Sequence, residues 1–129
     1  MPVQSASRDK RARRYLRGVR AELLACGLLR LKGYAILARR LRTPLGEIDI
    51  LACRGDTVVL VEVKQRPDLA TAAGAIAPRQ QERLAHAARF VLAQRPELRK
   101  HTFRFDAVLV NRWGWVRHMV NAWGDEGTG

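Results

Sequence analysis

Hydrophobic and polar positions along this chain alternate with two distinct periods, and the switches between them mark out its elements. From about Asp9 to Lys32, Leu16, Val19, Leu23 and Cys26 recur at helical spacing with arginines on the other face, and Gly33 follows as a stop signal. Tyr34 to Leu41 then reads as a first strand, broken by Thr43-Pro44, and Gly46 to Cys53 as a second. Arg54-Gly55-Asp56 is a turn, and the valine-rich Thr57 to Gln65 is a third strand. Small residues from Leu69 to Ala77 predict a mobile loop. Pro78 suits the first turn of a second helix reaching about Gln94, with Leu84, Ala88, Val91 and Leu92 facing inward. Thr102 to Val110 and Trp113 to Met119 complete the strands, joined by Asn111-Arg112. The order α-β-β-β-α-β-β predicts an α/β fold, a mixed central sheet flanked by helices.

Residues 1–8 read as a disordered basic start, 9–123 as one domain and 124–129 as a flexible glycine-rich tail. A chain of 129 residues suits one domain. No apolar run approaches the roughly 20 residues that a membrane-spanning helix needs. With no apolar signal core at the N-terminus either, the expected location is cytoplasmic, with no membrane partner. Cys26 and Cys53 form neither a disulfide framework nor a CxxC pair, and read as small buried hydrophobes. His86, His101 and His118 lie too far apart for a zinc motif.

Charge changes the picture. The net charge is +12, and residues 1–44 carry 12 basic against 2 acidic residues, so that third alone supplies +10. A basic lobe on a nearly neutral body favours a phosphate backbone, because each neutralised phosphate releases counterions. Arg13, Arg14, Arg17 and Arg20 on the first helix are the candidate nucleic-acid contacts, with an ordinary solvated face as the competing view.

The densest polar cluster falls in the central hairpin. Period-two alternation places Glu47 and Asp49 on one face of the second strand, with Ile48 and Ile50 on the other. It likewise sets Glu62 and Lys64 on one face of the third strand, opposite three valines. A two-residue turn at Gly55-Asp56 makes paired numbers sum to 111, which puts Asp49 opposite Glu62 and Glu47 opposite Lys64. Opposed residues stand about 4.5–5.5 Å apart at Cβ. Two carboxylates that close repel unless a proton or cation lies between them, and hard oxygen ligands favour Mg²⁺ or Mn²⁺. Such an ion would polarise a phosphoryl oxygen and activate a water, with Lys64 holding that water or stabilising developing charge. The plain structural alternative is a lattice of cross-strand salt bridges, Glu47 to Lys64 and Asp49 or Glu62 to nearby arginines.

The spacing D-x₁₂-E-V-K, preceded by a helix bearing Glu22, resembles the PD-(D/E)xK nuclease superfamily. More closely, the chain from about Gly18 to Trp123 is similar to the YraN-like family of bacterial proteins, described as related to archaeal Holliday junction resolvases. The likeness is carried by Gly33-Tyr34, Gly46-Glu47-Ile48-Asp49-Ile50, Gly55-Asp56, Val61-Glu62-Val63-Lys64-Gln65-Arg66, Ala75-Ile76, Pro78-Arg79, Arg104-Phe105-Asp106 and Asn121-Ala122-Trp123. It departs at Gln80, where the family usually has lysine, and near Leu28, where a tyrosine is usual.

The resemblance implies a restriction-endonuclease-like fold and a Mg²⁺- or Mn²⁺-dependent endonuclease acting on DNA, branched DNA included. Asp49, Glu62 and Lys64 match the catalytic positions, and Glu22, Asp49 and Glu62 the metal-binding ones. The alternative is a non-catalytic nucleic-acid-binding module that keeps the nuclease fold. A homodimer would suit cutting two strands of a junction.

Glu22 has no base three or four positions away on its own helix and borders the apolar stripe, which points it toward the sheet. Glu47 reads as a support beside the site, neutralising Lys64, and Gln81 as a further support or a surface amide. Asp106 reads as structural, pairing with Arg104 or a backbone group. Trp113, Trp115 and Trp123 read as core or interface residues rather than stacking platforms.

Overall fold

The computed structural model describes the backbone of residues 2–44, 46–66 and 78–121, with side chains for 8–44, 46–66 and 82–121. Its elements run α1 (Pro2–Leu31), β1 (Ala35–Thr43), β2 (Gly46–Arg54), β3 (Thr57–Gln65), α2 (Pro78–Gln94), a 3₁₀ turn (Pro96–Leu98), β4 (Thr102–Val110) and β5 (Val116–Met119). The expected loop Leu69–Ala77, the tail 124–129, Trp123 and the side chain of Gln81 lie outside the described residues.

The five strands form one mixed sheet in sequential order. β1, β2 and β3 are an antiparallel meander, β3 and β4 run parallel across the α2 crossover, and β4 and β5 are antiparallel. α1 packs on one face, where Ala21, Ala25, Cys26 and Leu29 meet Ile50, Val59, Val61 and Val108. α2 packs on the other, with Leu84, Ala88 and Val91 against Ile48, Leu51, Val58 and Leu60. This is the α/β arrangement the periodicity predicts.

Three local expectations are corrected. The first concerns α1, which begins at Pro2 rather than near Asp9 and buries a different stripe. Leu16 and Leu23 are 63% and 50% exposed, whereas Ala21, Ala25, Cys26 and Leu29 are buried. The helix approaches the sheet through small residues, which allow close contact, and a count of large apolar positions overlooks them. Every side chain from Arg8 to Arg17 is exposed.

The second correction is in β2. Ile48 packs on the α2 side and Ile50 on the α1 side, so the two do not share a face as simple alternation requires. The break falls at Asp49. Opposite it in β1, Arg40 adopts φ +51, a left-handed conformation rare for a residue with a Cβ. The third is β5, which starts at Val116 because residues 111–115 form a closed turn. There the Asn111 Oδ1 accepts the N–H groups of both Trp113 and Trp115.

Candidate functional site

The turn at Gly55-Asp56 gives the expected hairpin register: Arg54 pairs with Thr57, and the pairing continues to Ile50 with Val61. There it stops. The extrapolated pairs, Asp49 with Glu62 and Glu47 with Lys64, are not part of the ladder. β2 continues alongside β1 as far as Gly46, while β3 continues alongside β4 as far as Gln65. The hairpin therefore opens at the level of the acids. The Val63 N–H, which a continued ladder would satisfy, donates instead to Asp49 Oδ2 at 2.8 Å. A main-chain vacancy thus fixes the Asp49 side chain in the gap between the strands.

The second acid, Glu62, is 6% exposed, and its Oε1 lies 3.2 Å from Lys64 Nζ. Lys64 accordingly pairs with Glu62, two residues along its own strand, and not with Glu47 as expected. Glu47 is exposed, with its carboxylate 4.0 Å from Arg42. The third acid comes from α1. Glu22 is buried, and its Oε2 accepts from Arg40 Nε at 2.7 Å, with Nη2 at 2.6 Å. Its Oε1 is buried without a hydrogen-bond partner. The expectation that Glu22 turns toward the sheet agrees with this placement.

Electrostatics show how these groups bear on one another. Burial, then the charge of Glu62, drives the Asp49 carboxyl up to about 7, with a further push from Glu22. The Val63 hydrogen bond and the Lys64 charge oppose the rise without cancelling it. Asp49 is therefore an acid short of positive charge, the signature of a place that favours a proton or a cation.

Two residues that sequence reading missed complete the surroundings. Arg40 reaches Glu22 from the strained position in β1; its left-handed backbone leaves no trace in a periodic pattern. Arg83, on the inner edge of α2, lines a cleft of 20 Å³ with Gly46, Glu47 and Glu62, room for about one water or small ion. Its placement over the hairpin explains Gly46, whose φ is +142 and where an added Cβ would stand 2.8 Å from Arg83 Cδ. The signal for Arg83 was its spacing four residues before Ala87, which is buried. Arg13, Arg14, Arg17 and Arg20 are all exposed and so accessible to a large ligand.

Among the described residues, no three His, Cys, Asp or Glu side chains already form a cage for a metal ion. The donors nevertheless suit a hard divalent cation of the Mg²⁺ type, which is held by one or two carboxylates plus waters. Asp49 and Glu62 supply such a pair, and the unpartnered Glu22 Oε1 is a third oxygen awaiting a donor or an ion.

Fold and site together define an α/β protein with a five-stranded mixed sheet between two helices and an acidic site where its central hairpin opens. The chain belongs to the uncharacterised protein family UPF0102, whose model matches residues 21–110 and so includes Glu22, Asp49, Glu62 and Lys64. This agrees with the YraN-like resemblance. It is 50% identical over 109 residues to a UPF0102 protein of Parvibaculum lavamentivorans, covering 84% of this chain and 82% of the relative. A UPF0102 protein of Mesorhizobium japonicum is 48% identical over 118 residues, 92% of each chain, and one of a Chelativorans species 46% over 115 residues, 89% of this chain and 93% of the relative. Among the described residues, no helix is long and apolar enough to cross a membrane.

Proposed function

We propose that this protein is a Mg²⁺- or Mn²⁺-dependent endonuclease that hydrolyses phosphodiester bonds in DNA, branched DNA included. The observation that carries this reading is the Asp49 carboxyl, held by the Val63 amide and driven up to about 7 by burial and by the charge of Glu62. Ion pairs form at Glu22, Glu47 and Glu62, as the plain structural alternative expects, and the raised Asp49 carboxyl is what favours the metal reading over it.

Asp49 and Glu62 would hold the ion, with Glu22 reaching it through its free oxygen. The bound cation would polarise the phosphodiester and lower the pKa of water. Lys64, kept near Glu62 at 3.2 Å, is placed to orient the attacking water or to stabilise charge developing on the phosphate. Arg40 holds Glu22 in place and offsets part of its charge. The exposed Arg13, Arg14, Arg17 and Arg20 would bind backbone phosphates flanking the cut.

Cleavage of branched and single-stranded DNA by the purified protein, with Mg²⁺ or Mn²⁺ and with chelator, tests the reading. Metal-dependent nicking that Asp49→Ala abolishes is the expected result. Binding without cleavage in either protein would replace the enzyme with a binding module on the nuclease fold, and preference for RNA in the same assay would replace DNA as the substrate.

A further inference from the structure

A second feature lies where the turn between β4 and β5 meets α1. Arg17, Arg20, Arg66 and Arg112 line an open groove of 320 Å³, together with Gln65 and Leu24. No Asp or Glu is among its described lining residues. Gln65, next after Lys64 on β3, faces the α1 side of the sheet, as strand alternation requires. Gln65 Nε2 donates to the Arg17 carbonyl at 2.6 Å, and the Arg66 N–H to the Val110 carbonyl at 3.0 Å, which ties the end of β3 to both walls.

The turn itself is rigid and carries two large aromatics outward. Asn111 Oδ1 accepts from Trp113 N–H at 2.9 Å and Trp115 N–H at 3.0 Å, and the Asn111 N–H donates to the Trp115 carbonyl at 3.0 Å. Gly114 between them has φ +86 and lies against α1, where an added Cβ would be 3.2 Å from Arg20 Nη2. Trp113 and Trp115 are 68% and 71% exposed, which excludes the core half of the core-or-interface expectation and leaves a contact surface. The Arg112 guanidinium stands 4.7 Å from the Trp113 ring centroid.

Burying neither indole costs the fold apolar area, and a turn this heavily bonded holds both rings where they are. Fixed aromatics beside an arginine groove are the two components of a single-strand binding surface: cations track the phosphates, and rings stack on bases that a duplex keeps hidden. We propose that this groove and the tryptophans on the turn beside it form a subsite for an unpaired nucleic-acid strand. The inference rests on the nucleic-acid reading above but not on cleavage.

The test uses full-length Asp49→Asn protein, so that cutting cannot deplete the probe, and compares a fluorescent oligothymidylate of about 15 nucleotides with a duplex of equal length. Trp113→Ala combined with Trp115→Ala should weaken oligothymidylate binding roughly ten-fold or more while changing duplex binding less than about two-fold. The Trp→Phe pair should restore most of the loss, since phenylalanine still stacks. Arg112→Ala should lower the slope of log affinity against log salt by about 0.7 on the single strand. Unchanged oligothymidylate binding in the double alanine variant, or equal loss on both probes, would overturn the subsite. Failure of cleavage in the unmutated protein, with this binding intact, would count against the enzyme reading alone.

Discussion

Two aspartates on the strands that flank β3, Asp49 half-buried on β2 and Asp106 buried on β4, show opposite solutions to the same problem. Asp106 on β4 is fully buried, and burial alone would raise its pKa. His118, Arg104 and the Asn121 amide outweigh that and hold its carboxyl below the ordinary range. The contacts are short: Arg104 Nε at 2.8 Å and Nη2 at 2.9 Å, His118 Nε2 at 2.6 Å and Asn121 N–H at 2.9 Å. The Lys32 ammonium, 2.8 Å from His118 Nδ1, can only donate, so Nε2 carries the proton shared with Asp106. Asp49 has one amide and a weak share of Lys64, and the charges of Glu62 and Glu22 both bear against it. The saturated carboxylate is a structural tie. The undersupplied one keeps the repulsion that a bound cation would relieve under the proposed function.

The largest expected effect breaks the tie. Asp106→Ala leaves the part-buried Arg104 with only the Tyr34 hydroxyl and removes the carboxylate that holds His118 and the Asn121 amide, and should destabilise the protein by about 3 kcal/mol in denaturant titration. Asp49→Asn should do the reverse. It removes a charge the metal-free fold resists, and should stabilise that form at pH 8 by about 2 kcal/mol while removing metal-dependent activity. A destabilised Asp49→Asn protein would erase the contrast between the two acids.

Their pH dependences should also oppose one another. Asp49 takes up a proton on folding, because its folded pKa of about 7 exceeds its ordinary 3.8; its contribution is full below about 4 and lost as pH rises through 7. Asp106, with its folded value lowered, contributes above the ordinary carboxylate range and loses that contribution as the pH falls below it. Asp106→Ala should therefore flatten the acid limb of a stability profile, and Asp49→Asn the limb between about pH 4 and 7. The smallest effect is expected at the rim. Glu47 meets Arg42 only at 4.0 Å in the open, so Glu47→Gln should change stability by less than about 0.5 kcal/mol.

Periodicity was enough to read the element order, and the turn at Gly55-Asp56 was enough to read the hairpin register from Arg54 to Ile50. What it could not carry was the departure from regularity at Asp49. Extrapolating the ladder presumes that β2 and β3 stay paired, and they part because each is claimed by its other neighbour. The same blindness assigned Lys64 to Glu47, placed Ile48 beside Ile50 and left Arg40 unnoticed. Small residues on α1 hid how much of the helix packs on the sheet, although Glu22 was legible as facing it, and the bonding capacity of Asn111 hid the turn that keeps Trp113 and Trp115 outside. His118 joined Asp106 only through tertiary pairing of β4 with β5.

The account turns on whether the open hairpin binds a divalent ion through Asp49. Titration of the purified protein with Mn²⁺, followed by the electron paramagnetic resonance of the free ion at pH 8, answers this directly. Saturable binding should occur in the unmutated protein, weaken as the pH falls below about 7 because protons compete for Asp49, and be lost in Asp49→Asn. Equal Mn²⁺ binding by both proteins, or none by either, would contradict it.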